Sequence, residues 1–137
     1  MKFARVVFTA AGVWGFLVLT PMFFLLETIG RMRASPITHP EFFFGFLAVA
    51  MVWQCAFLVI GSDPVRLRLM MVPSAVEKFS YVLTMTVLFL QGRIAAADTV
   101  VIAPDFLIGI LFVVAFAKTP RLEAAVSSSP VSARWNR

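Results

Sequence analysis

The side chains able to do chemistry in this chain are few, and they fall into two sets. The first is acidic and holds the single histidine. Glu27, His39 and Glu41 lie close together in sequence, and Asp98 and Asp105 flank the start of a later apolar run. Histidine titrates near neutral pH, and a carboxylate partner favours its charged form. One imidazole among carboxylates can handle protons, hold a weakly bound metal or anchor a ligand. Zinc is a poor fit, because the histidine has no cysteine partners. Each acid also has an ordinary explanation at the N-terminus of a helix, where negative charge is favoured. Glu27 fits that explanation least, since it ends an apolar run, at the end of a helix where a carboxylate is unfavourable.

The second set is polar but mostly uncharged, and it lies within apolar sequence. Gln54 follows Trp53 near the middle of one run. Ser74, Glu77, Tyr81, Thr84, Leu88 and Gln91 recur at three- and four-residue intervals in the next. That period places them on one helix face. Two explanations fit. Hydroxyls and amides on such a face can bond between helices, at about 0.6 kcal/mol on average and up to about 2. Alternatively, Trp53, Gln54, Tyr81 and Thr84 line a pocket for a flat apolar ligand such as a quinone, a sterol-like lipid or a pigment.

The elements that must position these residues follow from composition. Of 137 residues 61% are apolar and only 14% charged, with a mean hydropathy of +0.92. A soluble domain has about 45–50% apolar and about 25% charged residues. The chain lacks the polar surface that a water-soluble enzyme or a nucleic-acid-binding domain needs. Its one cysteine, Cys55, cannot form a bridge within the chain. About 20 apolar residues cross a bilayer as a helix. Four stretches meet that length: 6–26, 42–62, 74–92 and 99–117. The expected fold is an all-α, four-helix transmembrane bundle, up-down-up-down, occupying residues 1–121. The first apolar stretch is too long for a signal peptide and has no small-residue cleavage site, so it is read as retained.

Sequence signals mark the ends. His39-Pro40-Glu41 suits a helix start, and Ser74 to Glu77 reads as a capping box. The fourth span starts either at Asp98 or with Pro104 and Asp105 in its first turn. Pro21 should kink the first. Ala11 and Gly15, and on the second span Gly45, Ala48 and Cys55, are small enough for close helix packing.

Orientation follows from the basic residues. Nine lie on one side: Lys2, Arg5, Arg66, Arg68, Lys78, Lys118, Arg121, Arg134 and Arg137. Arg31, Arg33 and Arg93 lie on the other. This places both termini in the cytoplasm. Arg66 and Arg68 are expected to face lipid phosphates. The net charge of +5 then concerns lipid headgroups and topology, not nucleic acid. Residues 122–137, rich in serine and ending basic, read as a disordered cytoplasmic tail.

The runs Thr38-His39-Pro40-Glu41-Phe42-Phe43-Phe44-Gly45-Phe46, Trp53-Gln54, Asp63-Pro64-Val65-Arg66 and Glu77-Lys78-Phe79 resemble a group of small, uncharacterised bacterial four-span membrane proteins. That resemblance covers about residues 8–118 and implies topology, not activity. A weaker resemblance is to the emopamil-binding (EXPERA) superfamily of sterol isomerases and ligand-binding membrane proteins. Pro21 with Glu27, and the aromatic-Gln step at Trp53-Gln54, carry it. It implies an acid and a base, for which Glu27 and His39 or Glu41 are candidates. The pattern departs at Val49 and Ala50, where that family has an acidic residue.

No phosphate loop, HExxH, GxSxG or CxxC is present, and the sequence names no cofactor. The expected function is non-enzymatic: an accessory or assembly subunit, or a binder of an apolar ligand. An EXPERA-like lipid isomerase or receptor is the alternative, and a small transporter comes third. The expected partners are the bilayer, an apolar small molecule, and another membrane protein or a second copy of the chain.

Overall fold

The computed structural model describes residues 2–25, 28 and 39–122. Among these residues the chain is all-helical, with four α-helices and no strand. They are α1 (Lys2–Met22), α2 (Pro40–Ser62), α3 (Met71–Leu90) and α4 (Ile102–Lys118). A 3-10 turn, Arg68–Met70, leads into α3, and another, Ala96–Val101, runs directly into α4. Three segments are long and apolar enough to span a membrane: Lys2–Met22, Pro40–Ser62 and Ala96–Lys118. At 1.5 Å per residue each is about 30 Å long or slightly more.

Local chemistry sets the ends. Pro40 takes the first position of α2, where a missing N–H costs nothing. Pro21 does not kink a long helix, because α1 ends one residue later at Met22. Only turn bonds follow, with the Phe24 N–H donating to the Pro21 carbonyl at 3.0 Å. Met71 begins α3 a turn before the expected capping box. Ser74 is therefore inside the helix, and its hydroxyl donates back to the Met70 carbonyl at 2.7 Å. Gly92 ends that helix at φ +67, a left-handed conformation that suits glycine. Both expected starts of the fourth element are used. Asp98 accepts the Ala95 N–H at 3.2 Å at the head of the 3-10 turn, and Asp105 lies in the first turn of α4.

In spatial order the helices form an arc, α2–α1–α4–α3. Glycines bring α1 against α2. A Cβ on Gly12 would lie 2.8 Å from Leu58 Cδ2, and one on Gly61 would lie 2.6 Å from Thr9 Oγ1. A Cβ on Gly15 would occupy the space of the Gln54 side chain. These pairings make α1 and α2 antiparallel, and Phe79 over Gly109 with Met71 near Phe116 does the same for α3 and α4. Gly45, Ala48 and Cys55, expected at a close contact, instead face outward. Nothing lies within 4 Å of where a Gly45 Cβ would be.

The core sits at one end of the arc. Phe8 of α1 stacks on Phe112 of α4 with centroids 4.1 Å apart, and Phe57 of α2 meets Phe112 edge-on at 4.9 Å. Ala4, Ala11, Ile60, Met71, Ala75 and Ala115 fill around the rings. Basic side chains bind the C-terminal carbonyls at this end, where positive charge is favoured. Arg5 Nη2 donates to the Ser62 carbonyl at 3.2 Å, and Arg68 Nε donates to the Thr119 carbonyl at 2.8 Å. The Arg68 guanidinium also lies 3.8 Å from the centroid of the Phe116 ring. Of the two arginines expected at lipid phosphates, Arg68 is partly buried in this contact and Arg66 is exposed.

Away from this core the helices part. Between α2 and α3 contact is slight, so the arc is closed at the core end and open along one seam.

Candidate functional site

The parting of the helices leaves a cleft of about 720 Å³, lined from all four of them. Trp14, Gly15, Val18 and Leu19 come from α1. Phe46, Val49, Ala50, Trp53 and Gln54 come from α2. Helix α3 supplies Glu77, Lys78, Ser80, Tyr81 and Thr84, and Pro104, Asp105 and Ile108 come from α4. The cleft is open rather than sealed. Its walls are mostly apolar and aromatic, with a small number of convergent polar groups, the usual make-up of a small-molecule site.

The charged groups of the cleft meet where α3 packs on α4. Lys78 is buried, and its Nζ lies 3.0 Å from Asp105 Oδ1 and 3.4 Å from Glu77 Oε2. It also lies 5.4 Å from the centroid of the Phe57 ring. Glu77 Oε2 is buried and makes no hydrogen bond. Two carboxylates thus flank the one lysine side chain, in largely apolar surroundings. Gln54 is 2% exposed. Its Nε2 donates to the Ala50 carbonyl of its own helix at 2.9 Å.

The serine and threonine hydroxyls of α3 each donate to a backbone carbonyl three or four residues earlier. Ser80 Oγ donates to the Glu77 carbonyl at 2.9 Å, Thr84 Oγ1 to Ser80 at 2.8 Å and Thr86 Oγ1 to Val82 at 2.7 Å. Of these, Thr84 belongs to the polar stripe, and its bond stays within α3. Glu77, Tyr81 and Thr84 of the stripe line the cleft, and Ser74 is buried at the core end.

Trp53, Gln54, Tyr81 and Thr84, the four residues expected to line a pocket, all line this one. Among the described residues the acidic set does not assemble. His39 Nδ1 and Glu41 Oε1 pair at 3.0 Å, but both side chains are more than 60% exposed and neither lines the cleft. Asp98 is engaged in its turn, and Asp105 has joined Lys78 instead. Glu27 lies outside the described residues, as do Arg31, Arg33 and the tail. Among the described residues no group of three or more His, Cys, Asp or Glu side chains is placed to hold a metal ion.

Sequence reasoning missed Lys78, which it counted among the basic residues of a connector. A signal was available. Lys78 is the one cation within 74–92, and Asp105 is the one charge within 99–117. Opposite charges in neighbouring apolar helices need each other. Without Lys78, the basic residues expected on the side of the termini fall from nine to eight, against three expected on the other.

No protein-family model, no curated protein and no solved structure matches this chain.

Proposed function

We propose that this chain is a small integral protein of the bacterial inner membrane that holds an apolar small molecule between its helices. In this reading it is a four-span bundle with both termini in the cytoplasm. Three apolar helices support it. The 20 residues of α3 are long enough to be the fourth span. Their polar side chains bond within the helix or turn to the cleft. The basic residues of the core end, Lys2, Arg5, Arg66 and Lys118, then lie on the cytoplasmic face.

The observation that carries the proposal is the cleft itself, apolar in its walls and polar at its foot. An interior serving only as scaffold would be filled, because voids cost packing energy. The test is native mass spectrometry of the protein purified in mild detergent. A retained apolar compound supports the reading. A bare chain, with no small molecule retained, counts against it.

The outward face of Gly45, Ala48 and Cys55 favours a second reading, that of an accessory subunit. Small residues on a lipid-facing helix allow another helix to approach closely. A protein partner retained in the same experiment, with the cleft empty, would favour this reading. Isomerase-type chemistry would need an acid and a base at the ligand. In this cleft Glu77, Lys78 and Asp105 are the charged groups available, rather than His39 and Glu41.

A further inference from the structure

We propose that the cleft is loaded sideways from the hydrocarbon, through the seam between α2 and α3. The rings of Phe46 and Tyr81 are the doorway, and the occupant is a neutral apolar molecule with one compact polar group. This deepens the ligand-binding reading above and rests on it.

Three observations carry the route. Helices α2 and α3 are the two ends of the arc and scarcely touch. In the outer half of the seam the Phe46 and Tyr81 rings stack at 6.2 Å, and both line the cleft. The residues flanking them, Val49 on α2 and Ser80 and Thr84 on α3, line the cleft and are exposed. A lipid-facing seam normally excludes hydroxyls that lack partners. Ser80 and Thr84 meet that condition, because each bonds a carbonyl of its own helix. The core end offers no comparable entry, since Phe8, Phe57 and Phe112 are fully buried there.

The depth of the polar foot limits the occupant. Gln54 is eight residues from the end of α2, and Lys78 is seven from the start of α3. At 1.5 Å per residue both backbones lie about 10–12 Å from the core end of helices about 30 Å long, and Asp105, 13 residues before the end of α4, lies about 20 Å from it. A phospholipid headgroup would have to be drawn to that depth, at a large desolvation cost. A hydroxyl or carbonyl on an apolar body reaches it far more cheaply.

The test uses the full chain in phosphatidylcholine nanodiscs, with Cys55→Ser and Trp135→Phe as background. The probe is a bromoalkanol, whose bromine quenches the two remaining tryptophans, Trp14 and Trp53, both of which line the cleft. Phe46→Cys and Tyr81→Cys are added and bridged with a short bis-methanethiosulfonate that dithiothreitol removes. Bridging is expected to slow loading about tenfold or more, trap probe loaded beforehand, and be reversed by dithiothreitol. Equal loading rates with and without the bridge would overturn the doorway. If the cysteine pair does not fold, Phe46→Ala serves instead. Faster loading then supports the proposal, and an unchanged rate overturns it. Absence of saturable quenching in the unbridged protein would overturn the binding reading itself, so the two failures are distinguishable.

Discussion

Lys78 Nζ lies 3.0 Å from Asp105 Oδ1 and joins α3 to α4 beside the cleft. Removing one partner leaves charge stranded in apolar surroundings, which costs more than the pair contributes. Lys78→Met is expected to destabilise the protein by about 3 kcal/mol, since it leaves Glu77 and Asp105 without their cation. Lys78→Met with Asp105→Asn should recover part of that loss. Reversible unfolding in mixed micelles measures both, and strictly additive losses would mean that the two residues are not coupled.

The glycines of α1 and α2 make a contrasting set. Gly15→Ala must displace the Gln54 side chain, and Gly61→Ala must move Thr9, whose backbone N lies 3.1 Å from the new Cβ. Each is expected to cost about 1–3 kcal/mol by overpacking. Gly45→Ala meets open space and should be neutral or slightly stabilising, given alanine's higher helix propensity. The same unfolding measurement separates the three.

The four helices were largely legible in the sequence, because uninterrupted apolar length is a strong signal. The second span, predicted at 42–62, is found at Pro40–Ser62, where proline fixes its start. The first, expected at 6–26, is found as the helix Lys2–Met22, which ends one residue past Pro21 although the apolar sequence goes on. The shared face of Tyr81 and Thr84 was legible from their three-residue spacing, and both border the cleft together with Trp53 and Gln54. Lys78 and Asp105 were not legible. Each has an ordinary local explanation near an end of its apolar stretch, and only the pairing of α3 with α4 brings them together. The outward turn of Gly45, Ala48 and Cys55 was hidden for a related reason. Small residues permit a close contact without specifying one.

Arg66 and Arg68 are two residues apart and should behave differently. Arg68 donates to the Thr119 carbonyl and covers Phe116, whereas the Arg66 side chain is exposed. Arg68→Ala is expected to cost about 1–2 kcal/mol in unfolding, through a lost cap and a lost ring contact. Arg68→Lys should rescue it incompletely, since an ammonium cannot reproduce the planar stack. Arg66→Ala should change stability by less than about 0.5 kcal/mol.

His39 and Glu41 form an exposed pair, and exposed pairs contribute about 0–1 kcal/mol. His39→Ala and Glu41→Gln should leave both stability and ligand retention close to those of the unaltered protein. A large loss of retained compound in either variant would place the site at the outer end of α2 rather than in the cleft.

The most direct test compares retained ligand in two neighbouring variants of α3 by native mass spectrometry. Thr84→Phe puts a ring into the cleft, while Leu83→Phe puts one on a face that is 65% exposed and does not line it. The account predicts that Thr84→Phe loses the compound held by the unaltered protein and that Leu83→Phe keeps it. Equal retention by both variants would contradict the account.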